Sequence, residues 1–371
     1  MTTTDPFEIF LVAPPSLEPV LAAEAQAAGF ADPTPSPGGV TIMGHWPDVW
    51  RANLTLRGAG RVLARLGSFR AMHLAQLDKR ARKFPWAEHL RPDVPVKVEV
   101  TCKASRIYHA GAAGQRIETA IREELGAPIA ADAPLTLKVR IEDDLCTVSV
   151  DTSGESLHKR GHKEAVGKAP MRETLAALML RACGYGGTEP VLDPMCGSGT
   201  FVIEAAEIAL GLLPGRSRAF AFQLLASYDH AAFETLRAAP PPRETPLRFY
   251  GSDRDAGAIR MSRDNAIRAG VDHVTEFTNV SVANLERPEG APGLVMVNPP
   301  YGARIGNKKL LYPLYAALGQ KLMAEFRGWR VGLVTSEPSL AKATGLSFGP
   351  AGPAIPHGGL GVYLFQSRAA L

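Results

Sequence analysis

The run Asp193–Thr200 (DPMCGSGT) constrains the fold of this chain more than any other segment. It follows a short strand-like stretch, Pro190–Asp193, and leads into the apolar run Thr200–Leu210, which is typical of a buried helix. A strand that passes through a glycine-rich turn directly into a helix opens a parallel, doubly wound sheet. The sequence therefore predicts an α/β domain of this kind, which we place at residues 170–371.

The glycine turn suits a ligand that has an amino-acid end. Gly197 and Gly199 carry no side chain, so the backbone can approach a ligand closely. The helix that follows directs its N-terminal amides at the ligand and favours a carboxylate, while Asp193 can accept hydrogen bonds from an α-ammonium group. These features predict a loop that binds the methionine part of S-adenosylmethionine. The remaining predicted members of this loop are Met195, Cys196 and Thr200.

The cysteines favour neither a metal site nor a disulfide framework. The four of them, Cys102, Cys146, Cys183 and Cys196, are scattered, and no pair has the close spacing of zinc ligands. Cys196 lies in the glycine turn, but no partner histidine for a cysteine nucleophile is evident from the sequence. We therefore predict no metal site, buried reduced thiols and a cofactor-loop role for Cys196.

A second acidic residue, Asp253, ends the next strand of the predicted sheet, after Gly251 and Ser252. An acid at this strand end is placed to accept hydrogen bonds from both ribose hydroxyls, as in dinucleotide-binding folds. A helix cap is the alternative role for Asp253. The segment Leu212–Pro246, which contains three consecutive prolines, separates this strand from the glycine turn. We expect that segment to be an insertion over the sheet.

The tetrapeptide Asn298–Tyr301 (NPPY) follows a buried strand, Val295–Val297. The side-chain oxygen of Asn298 and the carbonyl of Pro299 can both accept hydrogen bonds from the exocyclic amine of a planar base. Pro300 adds stiffness to the backbone, and Tyr301 offers a ring for stacking. Methyl transfer to such an amine depends mainly on alignment and on stabilising the positive charge that develops on nitrogen. The tetrapeptide is therefore the predicted catalytic set.

Charge distribution indicates a polyanionic partner. The chain has 371 residues, is 46% hydrophobic and carries a net charge of only +4. The stretch Arg51–Lys83, however, has nine basic residues against one acid, a local net charge of +8. A solvated helical face is the alternative explanation for such a run. The predicted RNA-binding residues, in this stretch and in the later linker, are Arg57, Arg61, Arg65, Lys79, Arg80, Arg82, Lys83, Lys159, Arg160 and Lys163.

The polypeptide ahead of the glycine turn alternates strand-like and helix-like segments. This pattern predicts two small α+β units up to about residue 152, followed by a polar, basic linker at 153–169. No run reaches the roughly 18 apolar residues of a membrane helix, and the first ten residues lack the basic start of a secretory signal. We therefore expect a cytoplasmic protein without membrane association.

Several of these motifs resemble one known family, the THUMP-domain RNA guanine-N2 methyltransferases. The resemblance covers nearly the whole chain and is specific in its C-terminal half; in the N-terminal half it depends on the order of the elements. The similar segments are Leu157–Gly161 (LHKRG), Ala169–Glu173 (APMRE), Asp193–Thr200, Ile203–Ala206 (IEAA), Asn298–Gly302 (NPPYG), Arg304 and, less specifically, Asn53–Leu54 and Arg61–Leu63.

The resemblance implies a ferredoxin-like segment at 1–56, a THUMP domain at 57–152 and a Rossmann-type class I methyltransferase domain at 170–371. It implies methyl transfer from S-adenosylmethionine to guanine N2 in RNA, and 23S ribosomal RNA is favoured over transfer RNA. The family commonly places an acid to bind the adenine amine, where this chain has Ser281 and Asn284. We assign adenine recognition to these two residues, and we expect one active site because the chain ends at Leu371.

Other functions stay open at this point. The same tetrapeptide occurs in DNA adenine methyltransferases and in enzymes that methylate a glutamine of release factors, although the N-terminal half argues against both. A transfer RNA substrate is a further alternative. An RNA-binding assembly factor without catalysis is a reading from a different class, against which the presence of Asp193, Gly197 and Asn298 argues.

Overall fold

The computed structural model describes residues 5–164, 171–238, 241–301 and 311–371. Four motif residues, Ala169, Pro170, Gly302 and Arg304, lie outside the described residues. The chain divides into two compact units. The main parts of the first are Ala22–Leu157 and the segment that begins at Arg218; those of the second are Pro14–Leu21, His158–Ser217 and the C-terminal part of the chain.

A mostly antiparallel sheet forms the first unit. Its strands are β1 (Phe7–Val12), β2 (Thr34–Ser36), β3 (Gly39–Gly44), β4 (Arg61–Arg70), β5 (Val96–Lys103), β6 (Leu135–Glu142) and β7 (Leu145–Asp151). Within the described residues they are ordered β2-β3-β1-β4-β7-β6-β5, and only β5 and β6 run parallel. Asp143 and Asp144 form the hairpin turn between β6 and β7, with the positive φ angles of 50° and 62° that such a turn needs.

Five helices accompany these strands in the described part of the chain before residue 164. They are α1 (Glu18–Ala27), α2 (Trp46–Thr55), α3 (Leu74–Arg82), α4 (Trp86–His89) and α5 (Ala110–Glu124). A histidine begins each of the two helices that pack against one another, α3 and α5. The ring nitrogens of His73 and His109 accept the backbone amides of Gln76 and Ala112, which satisfies one free amide at each helix start.

Strand β4 was not predicted, because its alternation of buried and exposed residues is interrupted by a bulge between Arg65 and Gly67. The strand pairs with β1 at Ala64 and with β7 from Leu63 onward. It therefore joins the predicted ferredoxin-like and THUMP segments into one continuous sheet. The predicted boundary near residue 56 falls just before this shared strand, and the predicted domain limits remain predictions.

The segment around Arg218–Ala238 belongs to the first unit and not to the predicted doubly wound domain. Its aromatic side chains surround Trp50 of α2, with ring centroids 6.2 Å from Phe222, 6.1 Å from Tyr228 and 6.5 Å from Phe233. The prediction of an insertion over the sheet was wrong. Apolar residues in a sequence show that a segment is buried, but they do not show against which core.

The second unit is the predicted doubly wound domain. Its strands are β8 (Val191–Asp193), β9 (Phe249–Ser252), β10 (Thr275–Thr278), β11 (Leu294–Val297), β12 (Arg330–Thr335), β13 (Ile355–His357) and β14 (Leu360–Gln366). The helices of this part of the chain are α6 (Glu173–Ala182), α7 (Thr200–Leu210), α8 (His230–Arg237), α9 (Ala256–Ala269), α10 (Leu311–Glu325) and α11 (Pro338–Ala343). Of these, α8 belongs to the first unit.

The described strands of this sheet are ordered β10-β9-β8-β11-β12-β14-β13. Strands β8 to β12 run parallel, whereas β14 is antiparallel to both of its neighbours. All four residues of β11 are buried, next to a core that contains Tyr315, Phe326 and Trp329. Close packing continues at Gly319 of α10, where a Cβ would lie 1.7 Å from the carbonyl oxygen of Thr344. The centre of the sheet is thus rigidly held.

Candidate active site

The strand order changes direction beside β8, and the predicted site residues collect there. Strands β8 and β11 are neighbours, with Val191 opposite Leu294, although about a hundred residues separate them in sequence. Asp193 ends β8 opposite Gly251 of β9, and Asn298 directly follows β11. In doubly wound sheets, ligands bind at the carboxyl ends of the strands at this switch point.

A cavity of about 730 Å³ opens at this edge. The whole predicted catalytic set lines it, together with Met195, Asp253 and Ser281 from the predicted cofactor set. Further lining residues that the sequence did not predict are Arg172, Arg254, Leu314, His357 and Leu360. Arg172 belongs to the APMRE segment, and Arg254 directly follows Asp253. Leu314 comes from α10, and His357 and Leu360 come from the β13–β14 hairpin, neither of which carries a motif. Only the sheet pairing of β14 with β12 brings the hairpin here.

Asp193 is almost completely buried, with 2% of its surface exposed. One carboxylate oxygen accepts the backbone amide of Met195 at 3.0 Å. The pKa of Asp193 is raised to about 8, mainly by burial; the amide of Met195 opposes this shift, and the charge of nearby Asp253 adds to it. A carboxyl group in this state gains most from a cationic partner, and the α-ammonium group of S-adenosylmethionine fits that requirement.

Asp253 is held by backbone groups on both sides. Its Oδ2 accepts the amide of Gly197 at 3.1 Å, and its Oδ1 accepts the amide of Asp255 at 3.0 Å. Each oxygen keeps a further lone pair for a hydroxyl donor. The cap of α9 is Asp255, which accepts the amide of Gly257 at 2.8 Å, so the alternative role of Asp253 as the helix cap was wrong. The geometry leaves Asp253 as a candidate ribose ligand.

The two glycines of the turn serve different purposes. Both have positive φ angles, 55° at Gly197 and 82° at Gly199, which favour glycine. A Cβ added at Gly197 would meet no atom within 4 Å, whereas one at Gly199 would lie 3.1 Å from the side chain of Ser262 in α9. Gly197 therefore faces open space, and Gly199 permits close packing of the turn on α9.

The cavity lining lacks six members of the predicted cofactor set: the buried Asp193, the two glycines of the turn, Cys196, Thr200 and Asn284. The thiol of Cys196 is buried 3.7 Å from the hydroxyl of Ser262, and burial raises its pKa well above the usual value, so it is not poised as a nucleophile. The hydroxyl of Thr200 accepts the ammonium group of Lys163 at 2.9 Å. Asn284 is exposed on a short 3₁₀ turn, beside the cavity-lining Ser281. The cofactor contacts predicted for Cys196, Thr200 and Asn284 therefore remain predictions.

Asn298 has the most unusual environment in the cavity. Its side-chain oxygen is buried and has no hydrogen-bond partner within the described structure. An unsatisfied buried acceptor costs roughly 1–3 kcal/mol, so its retention indicates a ligand that donates to it. The turn itself is braced, because the hydroxyl of Tyr315 donates to the carbonyl of Pro300 at 3.3 Å, and Tyr301 packs against the core beside β11.

The predicted RNA-binding residues separate into three groups. Lys79, Arg80, Lys83 and Lys159 are exposed, and Arg57 is half-buried. Those that form ion pairs with acids of the first unit are Arg61 with Asp151, Arg65 with Glu8, and Arg82 with Asp78, Glu123 and Glu124. Arg160 and Lys163 are buried against Glu204 and Glu173. Because buried side chains do not reach a phosphate backbone, the prediction is corrected for these last two.

Comparisons with known proteins agree with this geometry. A family model described as UPF0020, RMKL-like methyltransferase domain, matches residues 160–349, and one described as RlmL ferredoxin-like domain matches residues 8–63. The chain is 35% identical over 363 residues to the ribosomal RNA large subunit methyltransferase K/L of Syntrophotalea carbinolica, covering 92% of this chain and 51% of that protein. The chain spans about half the length of the K/L relatives that it matches.

Other relatives match from end to end. The slr0064 protein of Synechocystis sp., whose name provisionally describes an RNA methyltransferase, is 30% identical over 96% of this chain and 95% of its own. A crystal structure described as a predicted N6-adenine-specific DNA methylase from Listeria monocytogenes has a TM-score of 0.88 and 29% identity, covering 98% of this chain and 96% of that one. The SMU.472 protein, solved with SAH, has a TM-score of 0.86 and 25% identity over both complete chains.

Neither a membrane-spanning helix nor a metal-binding cluster is present among the described residues. None of the helices there combines the length and the apolar character needed to span a membrane. Nor do the residues with described positions contain three or more histidine, cysteine, aspartate or glutamate side chains grouped to hold a metal ion.

Proposed function

We propose that this chain, which belongs to the family of RMKL-like methyltransferase domains, methylates the exocyclic N2 of a guanine in 23S ribosomal RNA. The observation that carries the proposal is the buried side-chain oxygen of Asn298, which has no hydrogen-bond partner among the described residues and lies in the cavity that Asp253 and Met195 also line. This acceptor suits the amine of a planar base. The names of the K/L relatives support ribosomal RNA of the large subunit as the substrate.

The cofactor of the family, S-adenosylmethionine, supplies an electrophilic methyl group when bound. Asp193 would accept the α-ammonium group, which stabilises the ionised form of this buried carboxyl. The N-terminus of α7 would attract the α-carboxylate through its free amides. Asp253 would accept from the ribose hydroxyls, with its carboxylate already oriented by the amides of Gly197 and Asp255. Ser281 lines the same cavity and is the proposed contact for the adenine edge.

The target base would be oriented by Asn298–Tyr301. The Asn298 oxygen and the Pro299 carbonyl accept from the guanine amine, direct its lone pair and stabilise the positive charge that develops during transfer. The ring of Tyr301 would stack on the base. No residue is required to remove a proton before the methyl group moves, and the cavity can release the proton afterwards to solvent.

RNA affinity would come from the first unit. Lys79, Arg80 and Lys83 are exposed at the C-terminal end of α3 and its cap, where their charges also favour the helix dipole. A cluster of exposed cations binds a phosphate backbone without reading its sequence. We propose this cluster, here called the α3 cations, as the main contact to RNA, in a protein that acts in the cytoplasm.

The test is methyl transfer from labelled S-adenosylmethionine to nucleic acid from cells that lack this gene, followed by identification of the labelled nucleoside. Large-subunit ribosomal RNA, transfer RNA and genomic DNA would be offered separately. Label in N2-methylguanosine from 23S ribosomal RNA is the expected result. Label in N2-methylguanosine of transfer RNA would keep the chemistry and overturn the substrate, and label in N6-methyladenine of DNA would overturn both.

A further inference from the structure

The catalytic and binding roles proposed above do not explain the position of Lys163. Its side chain is only 8% exposed, and its ammonium group donates to three acceptors: the carbonyl of Met171 at 2.7 Å, the hydroxyl of Thr200 at 2.9 Å and the carboxylate of Glu173 at 3.2 Å. An ammonium group has three hydrogens, so this environment satisfies it completely. Burial of a lysine is costly and is maintained only where such partners are supplied.

The three acceptors belong to the starts of two helices. Thr200 is the first residue of α7, directly after Gly199 of the glycine turn, and Glu173 is the first residue of α6. Burial lowers the pKa of Lys163 and raises that of Glu173, and each shift is opposed by the charge of the other residue. The pair therefore holds the beginning of α7 against the beginning of α6.

The backbone next to Lys163 supports the same turn by a second route. The guanidinium of Arg268 donates to the carbonyl of His162 at 2.8 Å and also to the side chain of Asn265. The amide group of Asn265 in turn donates to the carbonyl of Ser198 at 3.1 Å, inside the glycine turn. Residues 162 and 163 thus reach both Ser198 and Thr200, on either side of Gly199.

The opposite end of α7 is held in a similar way. Glu204 and Glu207 of this helix are buried, with 1% and 0% exposure. The guanidinium of Arg160 lies 3.3 Å from Glu204, and that of Arg216 lies 2.5 Å from Glu207. Residues 160–163 therefore follow α7 along its length, and a role limited to connecting two domains does not require this buried network.

We propose that Lys163 is a positioning residue of the cofactor site, which acts through the hydroxyl of Thr200 to fix the glycine turn and the N-terminus of α7 in their ligand-binding geometry. The inference rests on the proposed binding of S-adenosylmethionine at that turn. It also assigns Thr200 a purpose: its hydroxyl orients the turn and does not contact the ligand.

The experiment measures the affinity for S-adenosylhomocysteine by calorimetry in four variants of the full chain: Lys163→Met, Thr200→Ser, Thr200→Val and Lys163→Met combined with Thr200→Val. Lys163→Met should weaken binding about tenfold or more and Thr200→Val about fivefold, whereas Thr200→Ser, which keeps the hydroxyl, should stay within about twofold. The double variant should bind no more weakly than Lys163→Met alone, because both changes break one link. Lys321→Met in α10, which removes a partly buried lysine paired with Glu325, is the matched lysine control.

Thermal unfolding without ligand separates positioning from a general loss of stability. If Lys163→Met unfolds early, Thr200→Val supplies the test, since it removes a single hydroxyl and no charge. Unchanged ligand affinity in Thr200→Val and Lys163→Met, with lower melting temperatures, would overturn the proposal and leave a structural role only. Additive losses in the double variant would also overturn it, because they indicate direct contact between Thr200 and the ligand. Failure of the unmodified protein to bind would instead count against the proposed function.

Discussion

The two sheets of this protein differ in how their charged and polar side chains are paired. In the first, charged side chains lie on partly exposed faces and are paired with one another, as in Arg65 with Glu8 at 2.7 Å and Lys138 with Glu99 at 2.7 Å. In the second, the carboxyl edge holds two buried polar groups, Asp193 and Asn298, that lack a full set of partners. Paired surface charges form a diffuse field, whereas unsatisfied buried groups specify one ligand.

The physical reason is the direction of the strands. Parallel strands end together at one edge, so β8, β9 and β11 bring three side chains from distant parts of the sequence to one cavity. Antiparallel strands alternate in direction and distribute their ends between both edges of the sheet. Substitutions at the second sheet's edge should therefore have large and specific effects, and those on the first unit should have smaller, additive ones.

The largest expected effect is that of Asn298→Ala. Loss of the amine acceptor should lower kcat by about a thousandfold or more, because alignment and charge stabilisation in the transition state both depend on it. Affinity for S-adenosylhomocysteine should change less than about twofold. Initial rates and calorimetry measure the two quantities. Asn284→Ala, an exposed asparagine outside the cavity, is the control, and loss of cofactor affinity in Asn298→Ala would contradict the assigned role.

Asp193→Asn should have the next largest effect, and this effect should be on cofactor affinity. The affinity for the cofactor should fall about a hundredfold, since a neutral amide attracts the ammonium group much less than a carboxylate does. The free protein, by contrast, should melt at a higher temperature near neutral pH, because the substitution removes a buried carboxyl. Calorimetry and thermal unfolding with and without ligand would show this; a lower melting temperature of the free variant would count against the assigned burial cost.

The α3 cations should produce a weaker and salt-dependent effect. Replacement of Lys79, Arg80 and Lys83 by glutamate should reduce RNA affinity about 10- to 100-fold at low salt and reduce the slope of log affinity against log salt. Cofactor affinity should stay unchanged. Filter binding across a salt series measures the effect, and glutamate at the exposed Lys342 of α11 is the control. RNA affinity that is the same in the α3 variant would remove this surface from the proposal.

The pH dependence of cofactor binding is a finer test of Asp193. Its pKa is about 8 in the free protein and would fall when the ammonium group binds, so binding below that pH requires loss of a proton. Affinity should therefore rise about tenfold from pH 6.5 to pH 8 and then level off. The stability of the free protein should fall over pH 4–8, because the folded state keeps a proton that the unfolded state releases. Asp193→Asn should abolish both trends.

Arg61→Ala is expected to have the smallest effect on function. The Arg61 guanidinium donates to the buried Asp151 and to the carbonyl of Gly154, each at 2.5 Å, so its loss should lower the free energy of unfolding by roughly 1–3 kcal/mol. RNA affinity should decline less than in the α3 variant. Denaturant unfolding and filter binding distinguish the two outcomes, and an unchanged stability with a large loss of RNA affinity would restore Arg61 as an RNA contact.

Local sequence determined the catalytic domain in most of its detail. The run Asp193–Thr200 and the tetrapeptide Asn298–Tyr301 are short-range patterns in which each residue type answers a local requirement, such as positive φ at glycine or a fixed backbone at proline. Helix α7 has the predicted bounds, Thr200–Leu210, for the same reason. The family match agrees with these motifs, and Asp253 and Asn298 line the same cavity.

Tertiary structure alone decided everything that depends on which surface a segment contacts. The sequence of Arg61–Arg70 does not show a strand shared by two predicted domains, and Phe222 and Phe233 do not reveal that their partner is Trp50. The sequence around Lys163 is polar and basic, as in a solvated linker. In the structure, however, the ammonium group of Lys163 lies among the starts of α6 and α7. A hydrophobic pattern shows only that a side chain is buried, and a charge shows only that it requires a polar partner or solvent. Several distant segments could supply that environment, and the packing of the whole chain decides which of them does.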